Sequence, residues 1–217
     1  MRTLVFHDDR VIDEGVVALW ISSPEPLRVV TRHGWEPMGI PMLVTRVEGT
    51  QIMELGGRAA AEVYEAQLGL GAGELTPEAF WGTSIMHPLG LLQPDGSTVI
   101  RVARSKSAEG YLNIQGCCPP AGGAVQVMTG TTDQLLDIAE EVAGAALEGR
   151  PAAGVLLAFS CAARAKIFGE RAPEEPRRLQ AAAGAAAPPP RAPAAARPPP
   201  APGPPAAWSR PPRRPCR

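Results

Sequence analysis

The sequence predicts an α+β domain, an antiparallel sheet with helices packed on one side, followed by a disordered Pro/Ala/Arg-rich tail. Three observations lead there. Short apolar runs come in pairs around turn residues, which is the pattern of hairpins and not of a doubly wound sheet whose strands alternate with helices. Two stretches, residues 58–68 and 132–148, place their apolar residues at helical spacing. After Glu175 the chain has no acidic and no β-branched residue.

Taken in order, Thr3–Phe6 and Gly15–Ile21 read as two short strands joined across Asp8, Asp9 and Arg10. Met42–Val47 and Thr50–Leu55 alternate around Glu48-Gly49, where glycine suits the positive φ of a tight turn. Between Arg58 and Leu68, Ala59, Ala60, Val63, Tyr64 and Gln67 mark one helical face, and Gly69 ends the helix. Leu89–Leu92 and Thr98–Val102 flank Pro94-Asp95-Gly96, the strongest hairpin signal of the chain. Tyr111–Gly116 and Ala124–Met128 flank the Pro- and Gly-rich turn Cys117–Gly123, so these four segments are expected to form an antiparallel meander. Thr132 is placed to cap a helix with an apolar stripe of Leu135, Ile138, Ala139, Val142 and Ala146, stopped by Gly149 and Pro151. Val155–Phe159 suits a buried central strand, and Cys161–Phe168 the helix after it.

Composition marks where folding is expected to stop. Of 21 Lys plus Arg, eight arginines lie beyond Glu175, leaving 13 cations against 22 acids in the body, about nine net negative charges. A Pro/Ala/Arg segment without Ile, Val or Phe buries too little apolar surface to offset its ordering entropy, and its prolines offer no amide proton. The arginines are scattered among prolines with Trp208 as the lone aromatic, which argues against nucleic-acid binding. Ala, Pro, Gly and Arg share GC-rich codons, so the segment reads as a linker or as out-of-frame coding from a GC-rich gene. The longest apolar runs, Val16–Ile21 and Val155–Phe159, are too short to span a bilayer, and no secretory leader follows Met1. A cytoplasmic protein with no membrane contact is the expectation, and its four cysteines are expected to stay reduced thiols.

No cofactor is implied. Pro119–Gly123 lacks the Lys and Ser/Thr of a phosphate-binding loop. Cys117, Cys118, His87 and Cys161 lack the spacing of a metal quartet. Catalysis is disfavoured too: Cys161 is without the flanking glycines of a nucleophile elbow, and His87, next to Pro88, reads as a loop-ordering residue. What remains are polar residues at positions suited to holding a small ligand. Ser160-Cys161 stands where a strand hands over to a helix, and Arg164 lies one turn on, either facing a ligand or pairing with Glu140 or Asp137. Arg101, mid-strand, is either solvated or aimed into a pocket where its guanidinium would grip a carboxylate. Asn113, on a neighbouring strand, is a weaker candidate. Trp35 and Trp81 read as core anchors.

Several short motifs occur in one order: Gly34-Trp-Glu-Pro-Met-Gly39, Glu54-Leu-Gly-Gly57, Trp81-Gly-Thr, His87-Pro-Leu-Gly, Gly96-Ser-Thr-Val-Ile-Arg101, Gly116 and Ser160-Cys-Ala-Ala-Arg164. Over residues 28–172 this series resembles the FIST sensory domain family. The resemblance implies residues 1–40 as a remnant of the N-terminal half, 41–172 as the C-terminal-type domain and 173–217 as the tail. It implies a small-ligand sensor of a signal-transduction protein, not an enzyme, with amino-acid-like ligands and a signalling protein as partner. Arg164, Arg101 and Cys161 fall within the pattern that carries the resemblance, and these are the positions expected to contact a ligand. A cleft between the halves would then keep one wall in this truncated chain. The other function the resemblance allows is a protein-interaction scaffold or substrate-recruiting module of the F-box-associated type, with no small ligand.

Overall fold

The computed structural model describes residues 4–149 and 155–186. Its strands are β1 (Leu4–His7), β2 (Arg10–Asp13), β3 (Glu36–Glu48), β4 (Gln51–Leu55), β5 (Arg58–Ala59), β6 (Leu89–Leu92), β7 (Thr98–Arg101), β8 (Ala103–Lys106), β9 (Leu112–Ile114) and β10 (Ala124–Thr129). The helices are α1 (Ala60–Gln67), α2 (Pro77–Met86), α3 (Thr132–Leu147), α4 (Ala162–Phe168) and α5 (Glu174–Ala186), with a 3-10 turn at Gly169–Arg171. The expected α+β architecture is what these elements build.

β1 and β2 pair with each other alone, while the main sheet runs β7-β6-β10-β3-β4-β9-β8, with β5 added beside β4. All pairings are antiparallel. The two end strands, β7 and β8, are separated in sequence only by Val102, so the sheet curls and is nearly a barrel. β3 stitches the halves together: its first part pairs with β10 (Met42 opposite Val125) and its second with β4 (Val47 opposite Ile52).

A bulge in β3 interrupts its ladder with β10 between Met38 and Met42. Gly39 has φ +69°, and a Cβ built on it would stand 2.1 Å from Gln67 Oε1. The backbone groups freed from the ladder find side chains instead: Gln126 Nε2 donates to the Gly39 carbonyl at 2.8 Å, and Ile40 N–H donates to Gln67 Oε1 at 3.2 Å.

The inner face of the sheet buries Val44, Ile52, Leu55, Leu89, Leu112, Val125 and Val127, covered by Ala60, Ala61 and Tyr64 of α1 and Phe80 of α2. The Tyr64 and Phe80 rings lie 6.0 Å apart at 47°, and Tyr64 Oη donates to the His87 carbonyl at 2.7 Å. A second, smaller core gathers Leu135 and Leu136 of α3 with Phe168 of α4, edged by Trp35 and Ile167.

Several expectations need correction. The N-terminal hairpin closes over Arg10–Asp13, and Gly15–Ile21 is irregular, with no ladder partner among the described residues; Val16 and Trp20 are each 92% exposed. Val155–Phe159 is likewise irregular and exposed, not a buried strand, with Phe159 93% accessible. Alternation and apolarity mark a segment able to join a sheet, but a strand exists only where a neighbour accepts its hydrogen bonds. The expected meander is broken because β9 pairs with β4 and β8, and β10 with β3 and β6. α3 is capped by Thr131, one residue before the expected Thr132: its Oγ1 accepts from Gln134 N–H at 3.2 Å while Gln134 Oε1 accepts from Thr131 N–H at 2.8 Å. α2 and β8 were not anticipated.

The tail begins later than its composition suggests. Residues 174–186 form α5, which lies on α3, and the expectation of disorder for 187–217 falls outside the described residues. Pro176 sits in the first turn of α5, where a missing amide proton removes no helical bond. Arg178 pairs with Asp137 and, at 3.6 Å, with Glu140, the acids of the polar face of α3.

Candidate functional site

α1 begins where its first amide donors find a partner in the adjoining turn: Ala61 N–H donates to the Gly110 carbonyl at 2.9 Å. The turn itself is closed by Ser107 N–H to the Tyr111 carbonyl at 2.9 Å and Gly110 N–H to the Ser107 carbonyl at 3.1 Å. One helical turn beyond Ala61, Glu65 faces the same way and is almost fully buried, its side chain 1% exposed.

A buried carboxylate is costly unless paired and hydrogen-bonded, and both oxygens of Glu65 are occupied. Lys106, the last residue of β8, donates Nζ–H to Oε1 at 2.5 Å, and Gly73 N–H donates to Oε2 at 2.5 Å. Glu65 thus ties three elements together: α1, the glycine-rich loop 69–76 and the end of β8. Between them opens a cleft of about 510 Å³ lined by Ala61, Glu62, Glu65, Gly73, Lys106 and Gly110 among others. An ammonium has three donors, so Lys106 keeps donor capacity after its bond to Glu65. Glu62, half exposed and 3.8 Å from Arg58, adds a carboxylate on the same helix.

The residues singled out from sequence lie elsewhere and apart. Arg164 is turned inward between α3 and α5: Nε donates to Glu175 Oε1 at 2.5 Å, one terminal nitrogen to the Leu135 carbonyl and the other to the His33 carbonyl at 3.4 Å. Its guanidinium also lies 5.0 Å above the Phe168 ring. Its carboxylate partner is therefore Glu175, not Glu140 or Asp137. Glu175 also accepts from Ser160 Oγ at 2.7 Å, beside the exposed Cys161 that precedes α4. Arg101 donates Nε–H to the Cys117 carbonyl at 2.7 Å and a terminal N–H to the Ile100 carbonyl at 3.0 Å. Asn113 Oδ1 accepts from Gln51 Nε2 at 2.7 Å, and its amide donates to Ser105 Oγ at 3.0 Å. Arg164 with Cys161 belongs to the helical cluster, Arg101 and Asn113 to the sheet, and the two groups share no hydrogen-bond partner.

Sequence reasoning missed Glu65 and Lys106, though two signals were present. Lys106 is one of two lysines in a chain with 19 arginines, and Glu65 interrupts the buried face of a helix. His87, at the end of α2, has a buried Nδ1 with no hydrogen-bond partner, and burial lowers its pKa against the raising effect of a bond to the Met128 backbone. Burial pushes the Tyr64 phenol well up.

Among known families, the FIST N domain matches residues 1–58 and the FIST C domain residues 60–189. The chain belongs to the FIST family. The junction of the two matches falls within β5, immediately before α1 carries Glu65 into the cleft. FIST domains are sensory domains of signal transduction, sensors of small ligands. Two uncharacterized proteins of Mycobacterium tuberculosis, MT0656 of strain CDC 1551 / Oshkosh and Rv0628c of strain ATCC 25618 / H37Rv, are each 29% identical over 175 residues, covering 77% of this chain and 45% of their own length. The chain thus spans less than half the length of these relatives. No solved structure matches it. Among the described residues no helix is long and apolar enough to cross a membrane.

Proposed function

We propose that this FIST domain senses a small zwitterionic metabolite of the amino-acid class in the cleft beside Glu65 and Lys106. The observation that carries the reading is a buried ion pair on the wall of a cleft of about 510 Å³. The spare donors of Lys106 suit a ligand carboxylate, and Glu62 suits an ammonium. Because Glu65 also holds Gly73, a ligand engaging Lys106 bears on the loop that leads into α2, a route from occupancy to a change of shape that a signalling partner could read. Arg164 and Arg101, with their donors engaged by carbonyls and Glu175, frame the fold in this reading.

The test is calorimetric titration of the protein with a panel of amino acids and organic acids. An amino acid should bind, and Glu62→Gln or Ala72→Trp at the lip should weaken it roughly tenfold to a hundredfold, the worth of a charge-assisted hydrogen bond or a blocked cleft. Binding abolished by Arg164→Ala or Arg101→Ala in folded protein, and untouched by Glu62→Gln and Ala72→Trp, would move the site to the arginines. A second reading, a protein-interaction module, draws on the exposed side chains of Val16, Trp20 and Phe159. It predicts a stoichiometric partner complex lost in Trp20→Ser with Phe159→Ser.

A further inference from the structure

The turn between β9 and β10 carries two adjacent thiols with opposite environments. Cys117 is exposed, and Cys118 packs against the main core. The far end of the turn is pinned to β3, Gly122 N–H donating to the Val44 carbonyl and Val44 N–H to the Gly123 carbonyl, both at 2.8 Å. At the near end one external hydrogen bond holds the backbone of the pair, the 2.7 Å bond from Arg101 Nε to the Cys117 carbonyl. Gly116 precedes them at φ +83°, and Pro119 follows, restricting Cys118 to extended backbone.

We propose that Cys117 and Cys118 are a redox-sensitive pair that closes to a vicinal disulfide on reaction with a small-molecule disulfide. The thiolate of Cys117, the accessible sulfur, attacks the disulfide and forms a mixed disulfide, releasing one thiol. The Cys118 thiolate then attacks Cys117 Sγ, closing the ring and releasing the second thiol; two protein thiols are oxidised and one disulfide is reduced to two thiols. With Cys117 facing solvent and Cys118 facing the core, ring closure requires the sulfurs to come to one side. That turns the intervening peptide away from Arg101 or draws Cys118 out of the core. Arg101 therefore holds the pair in its reduced arrangement. Burial, which raises the Cys118 thiol pKa against the opposing charge of Arg101, adds to this.

The experiment equilibrates the intact protein in glutathione buffers of graded oxidised-to-reduced ratio, quenches with acid and analyses tryptic peptides. Because trypsin does not cut before Pro151, a second digestion with a glutamate-specific protease, after Glu109 and Glu140, releases residues 110–140, which contain Cys117 and Cys118 and no other cysteine. The expected result is loss of two hydrogens from this peptide in the monomer, with no glutathione retained. In Arg101→Met the midpoint should shift toward more reducing buffer by about fivefold, one ordinary hydrogen bond lost from the reduced state. A stable glutathione adduct on Cys117 without ring closure, an unmodified pair at the most oxidising ratio, or a disulfide whose midpoint ignores Arg101→Met would each overturn the proposal.

Discussion

The curled sheet and the helical cluster are held in different ways, although one chain builds both. Within the sheet, Val44, Ile52, Leu89, Leu112, Val125 and Val127 are wholly buried, and the polar groups that accompany them, His87 Nδ1 excepted, are paired through Gln67, Gln126 and the Glu65–Lys106 bridge. The cluster of α3, α4 and α5 buries far less, with Leu135, Leu136 and Phe168 at its centre. Around them stand ion pairs: Arg171 to Asp133 at 2.9 Å and to Glu174 at 2.8 Å, Arg32 to Glu141 at 3.2 Å, Arg28 to Glu148 at 3.8 Å, and Arg178 to Asp137. Arg171 holds the Glu174 carboxyl below the usual range, yet these groups face solvent, where such pairs contribute little. Apolar burial makes the sheet the stable unit, and the cluster is the part expected to open first.

The largest effect should come from the sheet. Ile52→Ala or Leu112→Ala should cost about 2–5 kcal/mol by urea denaturation, because the strongly curled sheet cannot collapse around the cavity. Lys106→Met should cost a comparable ~3–5 kcal/mol, leaving Glu65 buried and unpaired, and Glu65→Gln added to it should restore part of the loss. The cluster can be broken separately. Glu175→Ala removes the acceptor of Arg164 and Ser160 and should cost about 1.5–3 kcal/mol, read as faster hydrogen exchange in α4 and α5 with the sheet amides unchanged. If sheet and helices lose protection together, the contrast between the two regions fails.

A pH titration samples both regions. His33, whose Nδ1 accepts from Trp35 N–H at 3.0 Å, belongs to the cluster, and His87 to the sheet; burial lowers both pKa values from 6.5. The unfolded chain then binds protons more readily, so the contribution of each is fully present above pH 6.5 and is lost as pH falls through the lower folded value. Urea midpoints should fall from pH 7.5 toward pH 5, with His33→Gln and His87→Gln each flattening the slope. The smallest effect is that of Arg178→Ala, under about 1 kcal/mol and reduced further by molar salt. A larger loss would show that charge holds the cluster.

Sequence patterns revealed those parts whose causes are local. The β6–β7 hairpin follows from Pro94-Asp95-Gly96, and α1 and α3 from periodicity with a glycine or a threonine at one end. β8 carries Ala-Arg-Ser-Lys, with no apolar alternation, and exists because β9 lies beside it. Gly15–Ile21 and Val155–Phe159 are apolar runs that lack a neighbour among the described residues. Arg164 was recognised as a placed residue, but its partner Glu175 lies at the start of a segment whose composition suggested disorder. Glu65 and Lys106 stand 41 residues apart and meet only through the topology, so no spacing announces them.

β3 imposes an order on how this protein can be made. Its second half can zip onto β4 as soon as residue 55 leaves the ribosome, but its first half waits for β10, with Met42 facing Val125 and Met38 facing Val127. Until then Met38 and Met42 have no strand to lie against, and the bulge at Gly39 lacks the Gln126 side chain that satisfies its carbonyl. Pairings of such separation close late and slowly. During that interval the growing polypeptide exposes an unpaired apolar strand, and its yield should respond to chaperone supply more steeply than its final stability would suggest.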